Sequence, residues 1–401
     1  MAKRHRQSSF GPGFLVAAAF IGPGTVTTCS MAGARFGYAL IFALVFATLT
    51  TLILQEMTGR LSLGSGYDLG QSLRDFPEKQ ITKVVFLTLT LSSITFGCAA
   101  YEAGNIIGGA LGLEMVSSVP KKIWVMMISL IAIFILSRKK YKIVEKFLIS
   151  LVFLMSLSFL MTFIIVKPDF VSMLKGMLPS FPDKSLYLVL AVVGTTVVPY
   201  NLFLHSSVVK EKWSNREHLK DVKKDLLVSI CLGGTISVSI VVTSAVAFYA
   251  KGLSLDSGAQ MAQQLRPLFG SLTNFLFGMG FFAAGMSSAV TAPYAAAFAS
   301  SGILGWKGGQ ESKGFKSVWM GVIATGLIVS LFDFNPLAVI VFAQVANGLI
   351  LPVASVFLLI VLNDRKRMKD LANTPLMNIV GGAVILLVSF LGIWNILKLF
   401  L

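Results

Sequence analysis

The residue types best suited to binding a small ion lie in two motifs that interrupt apolar segments of membrane-spanning length. In the first, Gly22-Pro23-Gly24 lies within residues 20–29 (FIGPGTVTTC). Proline removes a backbone donor and glycine tolerates dihedrals that other residues avoid, so amides and carbonyls lose their helical partners here. Because lipid cannot replace those partners, irregular backbone at membrane depth must line a polar cavity or be covered by protein.

The second motif, residues 194–205 (GTTVVPYNLFLH), lies roughly half the chain later and contains Pro199 and Asn201. Either motif alone is also compatible with a proline-kinked helix of no special function. Paired interruptions in corresponding positions of two halves, however, indicate a binding site at the interface of inverted repeats. We therefore predict that the two motifs form one site.

The side chains around the two motifs are uncharged hydrogen-bonding groups. They are Thr25, Thr27, Thr28, Thr195, Thr196, Tyr200 and Asn201. A helix that restarts after a break also presents free amides and the positive end of its dipole. A divalent cation normally needs a carboxylate, and a soft metal gains from sulfur or imidazole. These donors therefore favour a small anion, although each threonine could instead bond a carbonyl of its own helix.

Two titratable residues lie inside apolar segments. Glu102 is the one acid well within such a segment, and an acid there is costly and by default a functional candidate. His205 follows the second break and could exchange protons near neutral pH, although a lone histidine is more often a packing residue. Glu56 and Arg60 are one helical turn apart, and we predict a surface ion pair for them.

Composition places the chain in a membrane. Hydrophobic residues make up 55%, charged residues 13%, and the mean hydropathy is +0.80. The net charge of +16 does not indicate nucleic-acid binding, because Lys and Arg are confined to short segments between apolar runs. No pairing of a nucleophile with a base and no metal-ligand spacing appears, so we predict neither an enzyme nor a cofactor.

Eleven apolar segments are long enough to span a bilayer, and together they predict one all-α polytopic domain covering residues 1–401. A cytoplasmic N-terminus places most of the 34 Lys and Arg inside and leaves the C-terminus extracellular in a cell membrane. Repeat one (about 11–166) and repeat two (about 186–362) would form a five-plus-five inverted repeat, followed by an extra helix (about 375–399). The predicted segments are 11–34, 38–58, 82–112, 122–137, 146–166, 186–209, 226–250, 270–302, 315–333, 336–362 and 375–399. The polar residues 210–225 between the repeats read as a solvated cytoplasmic helix.

With these features the sequence resembles the NRAMP family of proton-coupled divalent metal transporters over nearly its whole length. The resemblance implies a LeuT-type fold in which helices 1 and 6 are broken and the substrate lies between them. The matching motifs are Ala32-Gly33-Ala34, Phe36-Gly37-Tyr38, residues 55–69, Leu204-His205-Ser206-Ser207, Gly285 with Ser287-Ser288, and Gln344 with Leu351-Pro352.

The departures from the family concern the metal ligands. Gly22 and Thr25 stand where the family has aspartate and asparagine, and Val198 stands where it has methionine. Glu102 matches the first of two family acids in helix 3, and Asn105 replaces the second. The resemblance and the residues together predict a substrate site without a metal, formed by Gly22, Gly24, Thr25, Thr28, Thr195, Thr196, Val198, Tyr200, Asn201 and Gln344. Coupling or gating is assigned to Glu102, Asn105 and His205.

We therefore expect a secondary transporter of a small inorganic anion. Bicarbonate is favoured because its planar oxygens suit a small donor-lined gap, and because an NRAMP-like branch proposed to carry it lacks the metal ligands in the same way. The residues alone do not separate bicarbonate from formate, nitrate or chloride. The coupling ion would be a proton or sodium. The alternatives are a magnesium or manganese transporter of altered selectivity, and a membrane sensor that binds without transporting.

Overall fold

Long helices make up most of the chain. A computed structural model describes residues 11–13, 21–76, 79–138, 142–213 and 215–400, without the side chains of residues 82, 142–145 and 395–400. The long helices are α1 (Pro23–Phe36), α2 (Ile41–Ser65), α3 (Gln80–Val116), α4 (Lys121–Ser137), α5 (Lys142–Ile165), α6 (Leu186–Thr196), α7 (Pro199–Lys212), α8 (Leu219–Ala247), α9 (Thr273–Leu304), α10 (Lys313–Leu331), α11 (Pro336–Leu362) and α12 (Pro375–Phe400).

These helices confirm an all-α polytopic membrane protein. Within the described residues, nine helical stretches are long and apolar enough to span a bilayer, with α6 and α7 together forming one of them. Of the two remaining predicted spans, α4 has 17 residues and falls just short of that length. The other is the first span, 11–34, of which residues 14–20 lie outside the described residues. The bounds of the two repeats stay a prediction.

Both predicted breaks begin a helix with proline. Pro23 opens α1 after Gly22, and Pro199 opens α7 after Val198; neither preceding residue caps the helix with its side chain. Proline has no backbone N–H. It suits the first helical position because an N–H there would have no helical partner. The second break is short, since α6 ends at Thr196 and two residues separate it from Pro199.

Two helix pairs fix the position of α1 and of its neighbours. The backbones of α3 and α9 touch: a side chain at Gly112 would overlap the backbone of Phe282, and one at Gly285 would overlap Gly109. On the other side, the Ser244 hydroxyl of α8 donates to the carbonyl of Ser30 in α1 at 2.6 Å. Helix α1, which follows the first break, therefore packs against α8 and is hydrogen-bonded to it.

Short helices and 3-10 turns join the long helices. The helices are Leu69–Asp75, Phe170–Lys175, Gly258–Ala262, Arg266–Phe269 and Arg365–Met368, and the turns are Arg216–His218, Tyr249–Lys251, Gln263–Leu265, Gly270–Leu272, Gly309–Glu311 and Lys369–Leu371. The polar linker is thus not one solvated helix. It contains the end of α7, a 3-10 turn and the start of α8, and Asp225 within it is buried.

The last turns of α2, the first turns of α8 and residues 369–373 form what we call the inner end, because the sequence predicts that it faces the cytoplasm. The Glu56–Arg60 ion pair exists at 3.1 Å, but the prediction of a surface pair is wrong for Arg60, whose side chain is 3% exposed. Residues 369–373 cover it, and the guanidinium donates to the Leu371 carbonyl and the Asn373 amide oxygen at 3.1 and 2.9 Å.

Candidate functional site

The two breaks meet in the interior. The hydroxyls of Thr25 in α1 and Thr195 in α6 form a hydrogen bond of 2.8 Å, and both residues are fully buried. A hydrogen bond between side chains 170 residues apart requires the two interrupted segments to lie side by side. The structure therefore brings the two sequence motifs into one place.

Gln344 of α11 lies against both breaks. A side chain at Gly24 would overlap the Gln344 carboxamide, and one at Gly194 would overlap the Gln344 backbone carbonyl. The amide nitrogen Nε2 donates to the Ile340 carbonyl of its own helix at 3.1 Å. The oxygen Oε1 is buried and has no hydrogen-bond partner among the described residues. Gln344 thus leaves one oxygen available next to Gly24.

Helices α3 and α9 contribute side chains next to Gly22. A Cβ atom added there would lie 3.0 Å from the Ser288 Oγ and 3.9 Å from the Tyr101 hydroxyl oxygen. The Tyr101 ring packs edge-to-face on Tyr200, with centroids 5.9 Å apart. Ser288 was predicted only as part of a motif. Tyr101 was not predicted, although its place directly before Glu102 in an apolar segment was a usable signal.

The predicted side chains differ in how their polar atoms are used. Thr196 donates to the Val192 carbonyl of its own helix at 3.0 Å. For this threonine the alternative of a hydrogen bond within its own helix is therefore correct. Val198 is buried and contributes no polar side-chain atom. By contrast, the Thr27 and Thr28 hydroxyls and both amide atoms of Asn201 are buried without a partner among the described residues.

The electrostatics of the second break have both signs. The amide end of α7 begins at Pro199, and the carbonyl end of α6 finishes at Thr196. A helix carries partial positive charge at its start and partial negative charge at its end. Since only two residues separate these ends, the gap offers hydrogen-bond donors for an anion and carbonyl oxygens for a cation.

Glu102 and Asn105 lie on α3, where Glu102 faces α10. Asn105 donates to one Glu102 oxygen at 3.4 Å, and the other oxygen, Oε1, has no partner among the described residues. Glu102 packs so closely on Gly326 of α10 that a Cβ there would lie 2.6 Å from the Glu102 Cγ. The acid is fully buried.

His205 lies between α7 and α2. Its Nδ1 is 2.9 Å from the Thr58 hydroxyl, and its Nε2 is buried without a partner among the described residues. The described contacts of His205 and Glu102 are with different helices, so the structure does not join these two candidates in one cluster. In the described part of the chain, no group of three or more His, Cys, Asp or Glu side chains could hold a metal ion.

Residues 13–398 match the family model described as natural resistance-associated macrophage protein-like. The chain belongs to the Nramp family. It is 28% identical to the divalent metal cation transporter MntH of Caldanaerobacter subterraneus subsp. tengcongensis, over 98% of this chain and 92% of that protein. It is 27% identical to the MntH of Listeria innocua, over 96% and 88% of the two chains.

Solved structures support the Nramp fold. A manganese transporter from Eremococcus coleocola superposes with a TM-score of 0.75 at 21% identity, over 98% of this chain and 88% of that one. Mhp1, a nucleobase-cation-symport-1 family transporter, superposes with a TM-score of 0.62 at 15% identity, over 96% and 92%. These neighbours confirm the LeuT-type fold with its five-plus-five arrangement.

The expectation of bicarbonate as the transported partner is wrong. Relatives that match 93% to 98% of this Nramp protein are divalent metal cation transporters. The physical reason is that α6 ends at the same gap, so its carbonyl oxygens offer a cation ligands beside the amides of the restarting helix. The broader prediction of a multi-pass membrane transporter stands, and the Nramp family consists of transporters, not enzymes. The orientation of the termini stays a prediction.

Proposed function

We propose that this Nramp protein transports a divalent metal cation, magnesium or manganese, through the gap between α1, α6 and α7. The observation that carries the proposal is the set of buried oxygens without hydrogen-bond partners: Oγ1 of Thr27 and Thr28, Oδ1 of Asn201 and Oε1 of Gln344. Leaving such an atom unpaired costs about 1–3 kcal/mol, and a bound ion that accepts its lone pair removes that cost.

The ligand chemistry favours hard cations. Amide, hydroxyl and carbonyl oxygens suit magnesium and manganese, whereas softer metals gain from sulfur or imidazole. Val198 supplies neither, and His205 points to Thr58 of α2. The selectivity of this protein should therefore favour magnesium and manganese over zinc or cadmium.

A site without a carboxylate binds a cation weakly. The partial negative charge at the end of α6 offsets part of the charge of the ion, and magnesium in particular keeps several of its waters when it binds to proteins. In the proposed site, backbone oxygens and ordered water complete the coordination shell of the ion. The site consists of the predicted residues Gly22, Gly24, Thr25, Thr28, Thr195, Thr196, Val198, Tyr200, Asn201 and Gln344.

Coupling is proposed for Glu102, with Asn105 and His205 as secondary candidates. Glu102 is a buried acid with one oxygen unpaired, and α3, which carries it, also places Tyr101 against Gly22. An acid in this position can hold a proton on one side of the membrane and release it on the other. The proposed coupling ion is therefore a proton.

Uptake into liposomes tests the metal. Purified protein should take up manganese and magnesium above the level of empty liposomes, and zinc should compete poorly. A protein that is folded by its elution profile but takes up neither ion would contradict the proposal.

The variant Gly22→Asp tests the place of binding. The new Cβ would lie 3.0 Å from the Ser288 hydroxyl, which can rotate away, and the carboxylate would supply the missing charged ligand. Opposite charges about 4 Å apart attract by roughly 4 kcal/mol at an effective dielectric of 20, and solvent reduces this, so we expect the KM for manganese to fall about tenfold or more. Gly22→Asn is the matched control of equal size, and its KM should change little. Equal effects of the two variants would place the ion elsewhere.

A further inference from the structure

A second Gly-Pro-Gly motif, residues 11–13, lies eleven residues before Gly22-Pro23-Gly24, and the structure shows what holds it. The carboxylate of Asp225, in the second turn of α8, accepts hydrogen bonds from the backbone amides of Gly11 and Gly13, at 3.0 and 2.6 Å. Each carboxylate oxygen takes one amide. Asp225 therefore binds the chain segment that leads into helix 1 with both of its oxygens.

The fit requires glycine at position 13. A Cβ there would lie 2.9 Å from the Asp225 carbonyl oxygen and 3.0 Å from its Oδ2. On the other side, Gly11 lies beside Trp213, whose ring is also covered by Lys212 at 4.6 Å. Pro12 and Gly13 are buried in this pocket. We call this pocket, formed by Asp225, Trp213 and Lys212, the seat of residues 11–13.

Several ion pairs and hydrogen bonds join the elements around this seat. Lys223, two residues before Asp225, contacts Glu56 of α2 at 3.3 Å, and Glu56 in turn holds Arg60. Arg216 donates to the Gly64 carbonyl at 2.6 Å and pairs with Asp370. These contacts tie α2, α8 and residues 369–373 into one unit at the inner end.

Helix α1 is also fixed, but at the opposite end of α8. There the Ser30 carbonyl accepts from Ser244, and the Ser30 hydroxyl accepts from Gln264 at 2.7 Å. One helix, α8, thus binds the chain on both sides of the first break, through the buried Ser244 hydroxyl beyond the break and through the Asp225 carboxylate before it. Two amide-to-carboxylate bonds can be broken without separating closely packed helices.

From this asymmetry we infer that Asp225 is a releasable latch for residues 11–13. The latch sets the fraction of molecules that are closed at the inner end. Asp225 acts as a positioning residue: it does not contact the break, and it acts by holding the segment that precedes it. The inference needs a transporter of this fold but is independent of which cation is carried.

A thiol reporter next to the latch measures its release. Ser229 lies one turn after Asp225 in α8, is fully buried, and lines a small cavity with Ile21 and Ser287. Ser229→Cys is nearly isosteric. It would be combined with Cys231→Ser, because Cys231 is exposed nearby. The reaction of the introduced thiol with a charged, water-soluble thiol reagent would be followed by peptide mass spectrometry in protein held in lipid nanodiscs.

In this background, Asp225→Asn should raise the rate of modification about tenfold or more, the factor expected from losing one charge-assisted hydrogen bond. The matched control is Asp364→Asn. Asp364 also accepts two backbone amides, those of Lys366 and Arg367, but it does not contact residues 11–13. This control should leave the rate unchanged.

An unchanged rate in Asp225→Asn, or an equal rise in the Asp364→Asn control, would overturn the inference. If Asp225→Asn fails to fold, Gly13→Ala decides the question, because it keeps the carboxylate and only crowds the seat. It should raise the modification rate in the same direction, and a rate equal to that of the parent would count against the latch.

Discussion

Two regions of the molecule, the gap at the helix breaks and the inner end, differ in whether their polar groups have partners. On the helices that meet at the gap, Asn201, Gln344, Thr27 and Thr28 are uncharged and keep buried atoms without partners among the described residues. At the inner end, charged side chains such as Arg60, Glu56 and Lys223 contact one another or backbone carbonyls. Unpaired buried atoms cost stability and are ready to bind, whereas paired charges stabilise one arrangement. Stability and binding should therefore be separable by mutation.

The largest effect on stability should come from Arg60→Met. The side chain is 3% exposed and holds Glu56, Leu371 and Asn373 together, so its removal leaves the partners of a buried charge unsatisfied. We expect a loss of about 2–4 kcal/mol, seen as a lower midpoint in thermal unfolding. The control is Arg74→Met, because Arg74 is 30% exposed and its pair with Asp75 is worth little. Equal losses would show that the inner end is not the stabilised region.

Gln344→Leu should show the reverse pattern. The change removes an unpaired buried oxygen beside Gly24, so we expect cation uptake to fall about tenfold to a hundredfold while the unfolding midpoint stays the same or rises. Gln264→Leu is the contrast, because the Gln264 amide nitrogen donates to Ser30 and Met261 and its loss should lower stability. A Gln344 variant with normal uptake would remove this residue from the proposed site.

The smallest expected effect is that of Glu102→Gln, which keeps the size of the buried side chain. We expect a decrease of a few-fold in uptake at neutral pH, a flatter dependence of uptake on external pH, and an unchanged elution profile. Glu114→Gln on the same helix is the control, since Glu114 is exposed and accepts only the Lys121 amide in the described structure. If both variants keep the pH dependence of the parent, Glu102 is a structural residue.

The breaks were predictable because their cause is local. Proline fixes a backbone dihedral and lacks an N–H donor wherever it occurs. The helix starts at Pro23 and Pro199 could therefore be predicted without knowledge of the fold. The five-plus-five fold followed from the spacing of the apolar segments and from the motifs shared with the Nramp family.

Side-chain use was less predictable because it depends on distant packing. Nothing in the sequence tells that Thr196 bonds its own helix while Thr25 reaches Thr195. Residues 369–373 bury Arg60 from more than 300 positions away. The Asp225 contact was missed for the same reason, although a second Gly-Pro-Gly motif eleven residues before the first break was a visible signal.

The contact between α3 and α9 has a consequence for how the protein assembles. In a bilayer no water is released when helices associate, so such pairs form by close van der Waals fit, and small residues let the backbones approach. Gly112 and Gly285 provide that approach here. A single added methyl group would force the two helices apart and would move Tyr101 and Ser288 away from Gly22, since each helix carries one of them. The spacing of the gap is thus determined by atoms that never touch an ion.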